Sequence, residues 1–216
     1  MKRLLFILCL LCSPASAGPW LRAKGGQFLS MSIETAFEGG QTNPYSSVYY
    51  EMGLSERWTV GLDAGTDMLG YSSALLFART SVWQRQGGGR VAAEIALGGV
   101  LGSTSGQSFA LRPGLSWGRG IGLYQGGWVA VDATYGYKPS DNTSLAKVET
   151  TLGLNHGQRI KLMLQATVEK PSGQGTSVSV TPGLAYRFGD EFHLITGVVA
   201  YKNRSTALKI GLWREY

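Results

Sequence analysis

The segment Ile160-Lys161-Leu162-Met163-Leu164-Gln165-Ala166-Thr167-Val168-Glu169 decides the fold. Its even positions are all apolar, while its odd positions hold a lysine, a glutamine, a threonine and a glutamate around a single methionine. A repeat of two belongs to an extended strand, whose successive side chains point to opposite faces, whereas a helix needs a repeat of about 3.6. The segment therefore predicts a strand with one apolar face and one polar face.

The same alternation recurs in both directions, and twelve stretches can be traced from Gln27 onward. The first carries Leu29, Met31, Ile33, Thr35 and Phe37; the second, Val48, Tyr50, Met52 and Leu54; the third, Trp58, Val60, Leu62 and Ala64. Ala74 to Val82, Val91 to Leu101, Phe109 to Trp117, Val129 to Tyr137 and Ala146 to Leu154 continue the series. After Ile160 to Val168 come Val178 to Phe188, a stretch from Phe192 to Lys202 of unclear phase, and Leu208 to Tyr216. Gly-rich or polar turns such as Gln86-Gly87-Gly88-Gly89 and Asn155-His156-Gly157-Gln158 separate them. Met52-Gly53-Leu54-Ser55, Pro113-Gly114-Leu115-Ser116, Leu152-Gly153-Leu154-Asn155 and Pro182-Gly183-Leu184-Ala185 form a weak internal repeat near the ends of even-numbered strands. Pro113 and Pro182 each remove a ladder donor and are expected at bulges.

Charge falls on one face only. The apolar positions contain no Asp, Glu, Lys or Arg except Arg214, near the chain end. The alternate positions hold Glu34, Glu51, Asp63, Arg79, Glu94, Arg112, Asp132, Lys147, Glu149, Lys161, Glu169, Arg187 and Lys209. A soluble barrel or sandwich with its apolar side inward would alternate in the same way. Three features favour the inverse arrangement, with lipid outside. A lipid-facing charge costs about 2–4 kcal/mol at mid-bilayer, which explains the segregation. The polar face is rich in small residues such as Gly53, Gly61, Ala92, Gly98, Gly114, Gly153 and Gly183, suited to a crowded interior. Aromatic residues, including Trp58, Phe109, Trp117, Tyr135, Tyr137, Tyr186 and Phe188, gather at strand ends as interfacial girdles do. The fold expected is all-β: one transmembrane, antiparallel, up-and-down β-barrel of about twelve strands, with ten as the alternative count. The even number returns both ends to one side.

The final segment, Lys209-Ile210-Gly211-Leu212-Trp213-Arg214-Glu215-Tyr216, resembles the C-terminal signal of bacterial outer-membrane β-barrel proteins. It matches in its polar residue, its glycine and its final aromatic, and departs at Arg214, where that pattern prefers a hydrophobic residue. The resemblance is to the class and to no specific family. It implies a Gram-negative cell, the outer membrane as location, its lipids as surroundings, and the general export and barrel-assembly machinery as partners.

At the other end, Met1–Ala17 has the form of an export signal: Lys2 and Arg3, an apolar run from Leu4 to Leu11, and Ala15-Ser16-Ala17 as a cleavage site. Neither Cys9 nor Cys12 follows a small residue, so lipid anchoring is not expected. The mature domain is read as residues 18–216. Both cysteines lie in the leader, so the mature chain has no thiol for a disulfide, a metal or a nucleophile. The formal charge is +6, of which Lys2 and Arg3 supply two, leaving +4 without a dense basic block; no nucleic-acid partner is expected.

Cofactor, metal and catalytic residues are not expected. Glycines form no phosphate loop between a strand and a helix, and two isolated histidines make no metal cluster. His156 and His193 lack a serine at close spacing, so a barrel-embedded lipid-modifying enzyme is the weakest reading. The interior charges are the main candidates. They line either a narrow porin-like channel for small hydrophilic solutes, or a closed structural or adhesive barrel held by internal salt bridges and acting through its outer loops. Adjacent strands are expected to bring Glu34 near Glu51, Glu94 near Arg112, and Lys147 and Glu149 near Lys161. Outward loops are expected at Gly39 to Ser46, Asp67 to Ser72, Gly102 to Gln107, Lys138 to Thr143, Lys170 to Gly175 and Asn203 to Ser205; the first is the longest, and its Asn43-Pro44-Tyr45 reads either as a ligand contact or, more simply, as a plain exposed loop.

Overall fold

The computed structural model of the chain describes residues 18–38, 41–102, 106–202 and 205–216, with only the backbone at 37, 38 and 41–43. Its strands are β1 (Gln27–Glu38), β2 (Gln41–Ser55), β3 (Trp58–Asp67), β4 (Ser72–Gln84), β5 (Arg90–Gly102) and β6 (Gly106–Ile121), then β7 (Gly127–Lys138), β8 (Thr143–His156), β9 (Ile160–Pro171), β10 (Ser177–Phe188), β11 (Phe192–Tyr201) and β12 (Ala207–Glu215). Every strand pairs with its sequence neighbours, and β12 pairs antiparallel with β1 from Phe28↔Glu215 to Ala36↔Ala207, closing the barrel. Closure removes the sheet edge that a bilayer cannot satisfy. No helix among the described residues is long and apolar enough to cross a membrane. The proposed leader lies outside the described residues.

The apolar face points outward. On β4, Leu76 is 68% exposed whereas its neighbour Phe77 is 3% exposed. Met31, Ile33, Ile95, Leu97, Leu115, Leu164 and Ile210 stand exposed in the same belt, with Trp58, Trp117, Tyr135 and Phe188 near its rims. This excludes the soluble, apolar-inside alternative. Arg214 is joined on this face by two more charges, because the strands run beyond the alternating stretches. β6 reaches Ile121 and carries Arg119 in the phase of Trp117, and β9 reaches Pro171 and carries Lys170 in the phase of Val168. All three sit at strand ends, where long side chains reach water. Arg214 lies 3.1 Å from Glu191 and over the rings of Phe192 and Tyr216.

Three sequence expectations change. The long first loop is replaced by strand: β2 starts at Gln41, pairing Gln41 with Glu38 and Pro44 with Thr35, so Asn43-Pro44-Tyr45 belongs to the wall. Residues 39–40, 103–105 and 203–204 of the predicted outward loops lie outside the described residues. Neither proline makes a bulge. Pro113 pairs with Ile95 in unbroken register on the β5 side, but the β6–β7 ladder skips from Leu111↔Tyr137 to Gly114↔Thr134. Pro182 likewise pairs with Leu164, while the β10–β11 ladder skips from Val180↔Ala200 to Gly183↔Gly197. The missing N–H opens a gap on one side without shifting the register. The register shifts lie instead at Gly53/Ser55 between β2 and β3 and at Ser81/Trp83 between β4 and β5, at one end of the barrel. The unclear phase of β11 has a plain cause: Ile195 and Val199 are buried inside while Leu194 and Val198 are exposed outside.

Candidate functional site in the barrel interior

One wall of the interior, from β2 to β6, carries a continuous ion network. Glu51 is completely buried and accepts from Arg79 Nη1 at 2.5 Å, from Arg22 Nε at 2.6 Å and from Tyr49 Oη at 2.7 Å. Arg79 Nη2 donates to Glu94 at 2.6 Å and to Tyr49 Oη at 2.8 Å. Arg112 extends the chain, donating to Glu94 at 3.3 Å and to Asp63 at 2.5 Å. Asp63 on β3 and Arg112 on β6 are not strand neighbours, so this pair spans the interior above β4 and β5. Each carboxylate oxygen of Glu51 and Glu94 meets a guanidinium, the geometry that makes buried charge tolerable. Beside it, Leu75, Phe77, Ala96 and Ala110 form an apolar cluster with Tyr49 and Val100 packed on it, and Arg79 lies 5.2 Å from the Phe77 ring centre.

Arg22 belongs to no strand. The segment from Gly18 to Gly26 runs inside the barrel at the end that bears the termini. Gly18 and Pro19 are buried, Arg22 N donates to Thr59 Oγ1 at 2.9 Å, and Gly25 N donates to Gly53 O at 2.9 Å. Glycines on the inner face make room: a Cβ at Gly53 would strike the Ala23 carbonyl, and one at Gly118 would meet Trp20 and Pro19. Trp128, buried on β7, fills the same end, its indole lying against Gly153, with Lys161 Nζ 5.8 Å from its ring.

The opposite wall, β8 to β12 with β1, is different. A cavity of about 90 Å³ is lined there by Ser30, Ser32, Thr151, Gln165, Thr181 and Lys209, with Met163, Ile195 and Trp213. That is room for a few water molecules, each taking about 30 Å³. Glu34 accepts from Tyr201 Oη at 2.5 Å, and its Cα faces that of Lys209 across the β1–β12 ladder. Lys147 is 3.0 Å from Glu149 and faces Glu169 on β9. Arg187, at the rim, donates to the Asp190 carbonyl at 2.8 Å. Asp132 faces Ser116 on β6 and Glu149 on β8.

The structure brings Glu94 to Arg112 as expected, but not Glu34 to Glu51, nor Lys147 and Glu149 to Lys161. Register is the reason: Glu34 lies opposite Tyr45, Glu51 opposite Phe28, and Lys161 opposite Asn155 and Ala185. Sequence reasoning missed Arg22, Tyr49 and Trp128. Tyr49 and Trp128 were legible as aromatics on the polar phase of their strands; Arg22 precedes the alternating region and left no signal.

Outside the wall, at the β7–β8 turn, Asp141 accepts from Ser140 Oγ at 2.5 Å and Ser108 Oγ at 3.0 Å and lies 3.0 Å from Lys138 Nζ. The bonds from Ser140, Lys138 and Ser108 hold its carboxyl below the usual range.

No protein-family model matches the sequence, and no curated protein matches it. Solved structures do match in shape. The KdgM porin superposes with a TM-score of 0.66 at 9% identity, covering 88% of this chain and 99% of that one. The NanC porin gives 0.62 at 9% identity over 86% of this chain and 100% of that one. The COG4313 outer membrane channel from Pseudomonas putida F1 gives 0.55 at 11% identity over 94% and 99%. The chain thus has the fold of outer-membrane β-barrel proteins.

Proposed function

We propose that this barrel sits in the outer membrane and acts, without catalysis, as a narrow porin-like channel for small hydrophilic solutes. The observation that carries this reading is the asymmetry of the interior. Charges on the β2–β6 wall are consumed by one another, while the β8–β12 wall leaves a small cavity where hydroxyl and amide side chains and Lys209 stand beside Met163, Ile195 and Trp213. An off-centre passage bounded by that wall suits solutes that exchange hydrogen bonds with Ser30, Ser32, Thr151, Gln165 and Thr181, because polar contact replaces part of their hydration. The shape shared with porins and an outer membrane channel supports it. The export signal and the final strand support delivery by the general export and assembly machinery. Non-catalytic action is supported by the histidines' surroundings. His156 stacks on Tyr124 and is hydrogen-bonded to its hydroxyl at 2.9 Å, and His193 packs against Trp213.

The β2–β6 network is also what a closed barrel acting through its loops would need. Conductance separates the two. Residues 18–216, refolded in detergent, checked by heat-dependent gel mobility and placed in a planar bilayer, should give stable current steps. Lys209→Glu should shift the reversal potential toward cation preference. A folded barrel that passes no current, with or without residues 18–24, would overturn the channel reading in favour of the closed one.

A further inference from the structure

We infer that removal of the leader between Ala17 and Gly18 creates an α-ammonium group that docks on Asp132 inside the barrel and locks residues 18–26 there as an internal constriction. The docking rests on geometry and on the cleavage position read from the sequence; the constriction rests also on the channel reading above.

Gly18 is already at the carboxylate. A Cβ on it would lie 3.3 Å from Asp132 Oδ1, 3.4 Å from Oδ2 and 3.8 Å from the Ala130 Cβ. The Gly18 nitrogen is one bond of about 1.46 Å from the same Cα, so a freed amine is within reach of those oxygens. Asp132 has no cationic partner of its own among the described residues, and its ladder neighbour on β8 is another acid, Glu149, to which Lys147 is committed at 3.0 Å. Two inward carboxylates side by side repel, and one added positive charge relieves them.

The rest of the segment is built to hold that position. Arg22 is tied to Glu51 and Thr59, Gly25 donates to the Gly53 carbonyl, and Gly53 N donates back to Gly26 O at 2.9 Å. Pro19 and Trp20 rest on Gly118. While the leader is attached, the Gly18 nitrogen is a neutral amide and Asp132 has no such partner. Cleavage one residue earlier or later would move the charge by about 3.5 Å along the chain, beyond a close pair. The barrel interior therefore reads the processing position, and only the Gly18 terminus latches.

The test uses full mature chains refolded in detergent: wild type, Asp132→Asn, a chain with one extra alanine before Gly18, and a chain lacking residues 18–24, each confirmed folded by heat-dependent gel mobility. The N-terminal amine is acylated at neutral pH with a succinimidyl acetate and the N-terminal peptide is quantified by mass spectrometry. The wild-type amine should react about tenfold more slowly than in urea, since an ion-paired ammonium keeps its proton. Asp132→Asn and the extended chain should bring the rate to within about twofold of the unfolded one. Equal labelling of folded wild type and Asp132→Asn overturns the docking. In the bilayer, removal of residues 18–24 should raise the single-channel conductance; unchanged current steps overturn the constriction. Absence of current in every chain, with the amine still protected by Asp132, sinks the channel reading and the constriction with it, and upholds the docking.

Discussion

Replacing Arg79 by methionine removes the centre of the interior network while keeping the aliphatic stem. The change deletes the 2.5 Å pair with Glu51, the 2.6 Å pair with Glu94 and the 2.8 Å bond to Tyr49. The two carboxylates are not left equally exposed to the loss. Glu51 keeps Arg22 at 2.6 Å and Tyr49 at 2.7 Å, whereas Glu94 keeps only the longer contact to Arg112 at 3.3 Å. Removing one partner of a buried ion pair costs about 3–5 kcal/mol. With Glu51 still neutralised, the lower end, about 3 kcal/mol, is expected here. The loss of the guanidinium over Phe77 adds about 0.5–1 kcal/mol. The double variant Arg79→Met with Glu94→Gln removes the stranded charge and should recover more than half of the deficit, because matched removal of both partners is close to neutral. Urea unfolding in lipid vesicles, followed by tryptophan fluorescence, measures both. A loss below about 1 kcal/mol for the single variant, or a double variant no better than the single, would refute the argument that these charges neutralise one another in a dry interior.

Three further outcomes follow from the wall and its turns. Leu164→Arg, on the outer face of β9, should destabilise the folded barrel in vesicles by about 2–4 kcal/mol, and Gln165→Arg, one residue inward, by much less, as read from urea midpoints. Gly61→Ala should cost about 1–3 kcal/mol in the same assay, because its Cβ would strike the Tyr50 carbonyl and the Phe77 ring. Asp141 should titrate by carbon NMR with a midpoint below its ordinary value of 3.8. A lowered folded value means that its contribution to turn order is present above 3.8 and lost as pH falls through the lower midpoint, so Asp141→Asn should abolish that acid-induced loosening.

Alternation made the wall legible. Ile160 to Glu169 and its counterparts specify which residues face out, because a one-residue slip would put charge into lipid. β11 resisted, since Ile195 and Val199 make its inner face as apolar as its outer one. Pairings inside the barrel were harder to read than faces. Glu94 and Arg112 meet across one ladder, but Glu51 takes a second guanidinium from Arg22, before the first strand, and Arg112 a second carboxylate from Asp63, three strands away. Such contacts depend on barrel closure and on the entry of residues 18–26, neither of which leaves a periodic trace. The loop predicted at Gly39 to Ser46 failed for a local reason: Gly, Gln, Asn and Pro read as turn formers, yet Pro44 pairs opposite Thr35 within the ladder.

The two proline gaps have a mechanical consequence. They interrupt the ladder by two pairs between β6 and β7 and by two between β10 and β11, so β7 to β10 lie between two weakened seams. The remaining strands form a longer arc, stiffened across β2 to β6 by its internal ion pairs. Elastic deformation concentrates where bonds are missing, so the wall bends most easily at these two seams. The seam at Pro182 borders the cavity, whose lining includes Thr181, Gly183, Thr196 and Gly197. The wall is therefore easiest to bend beside the cavity.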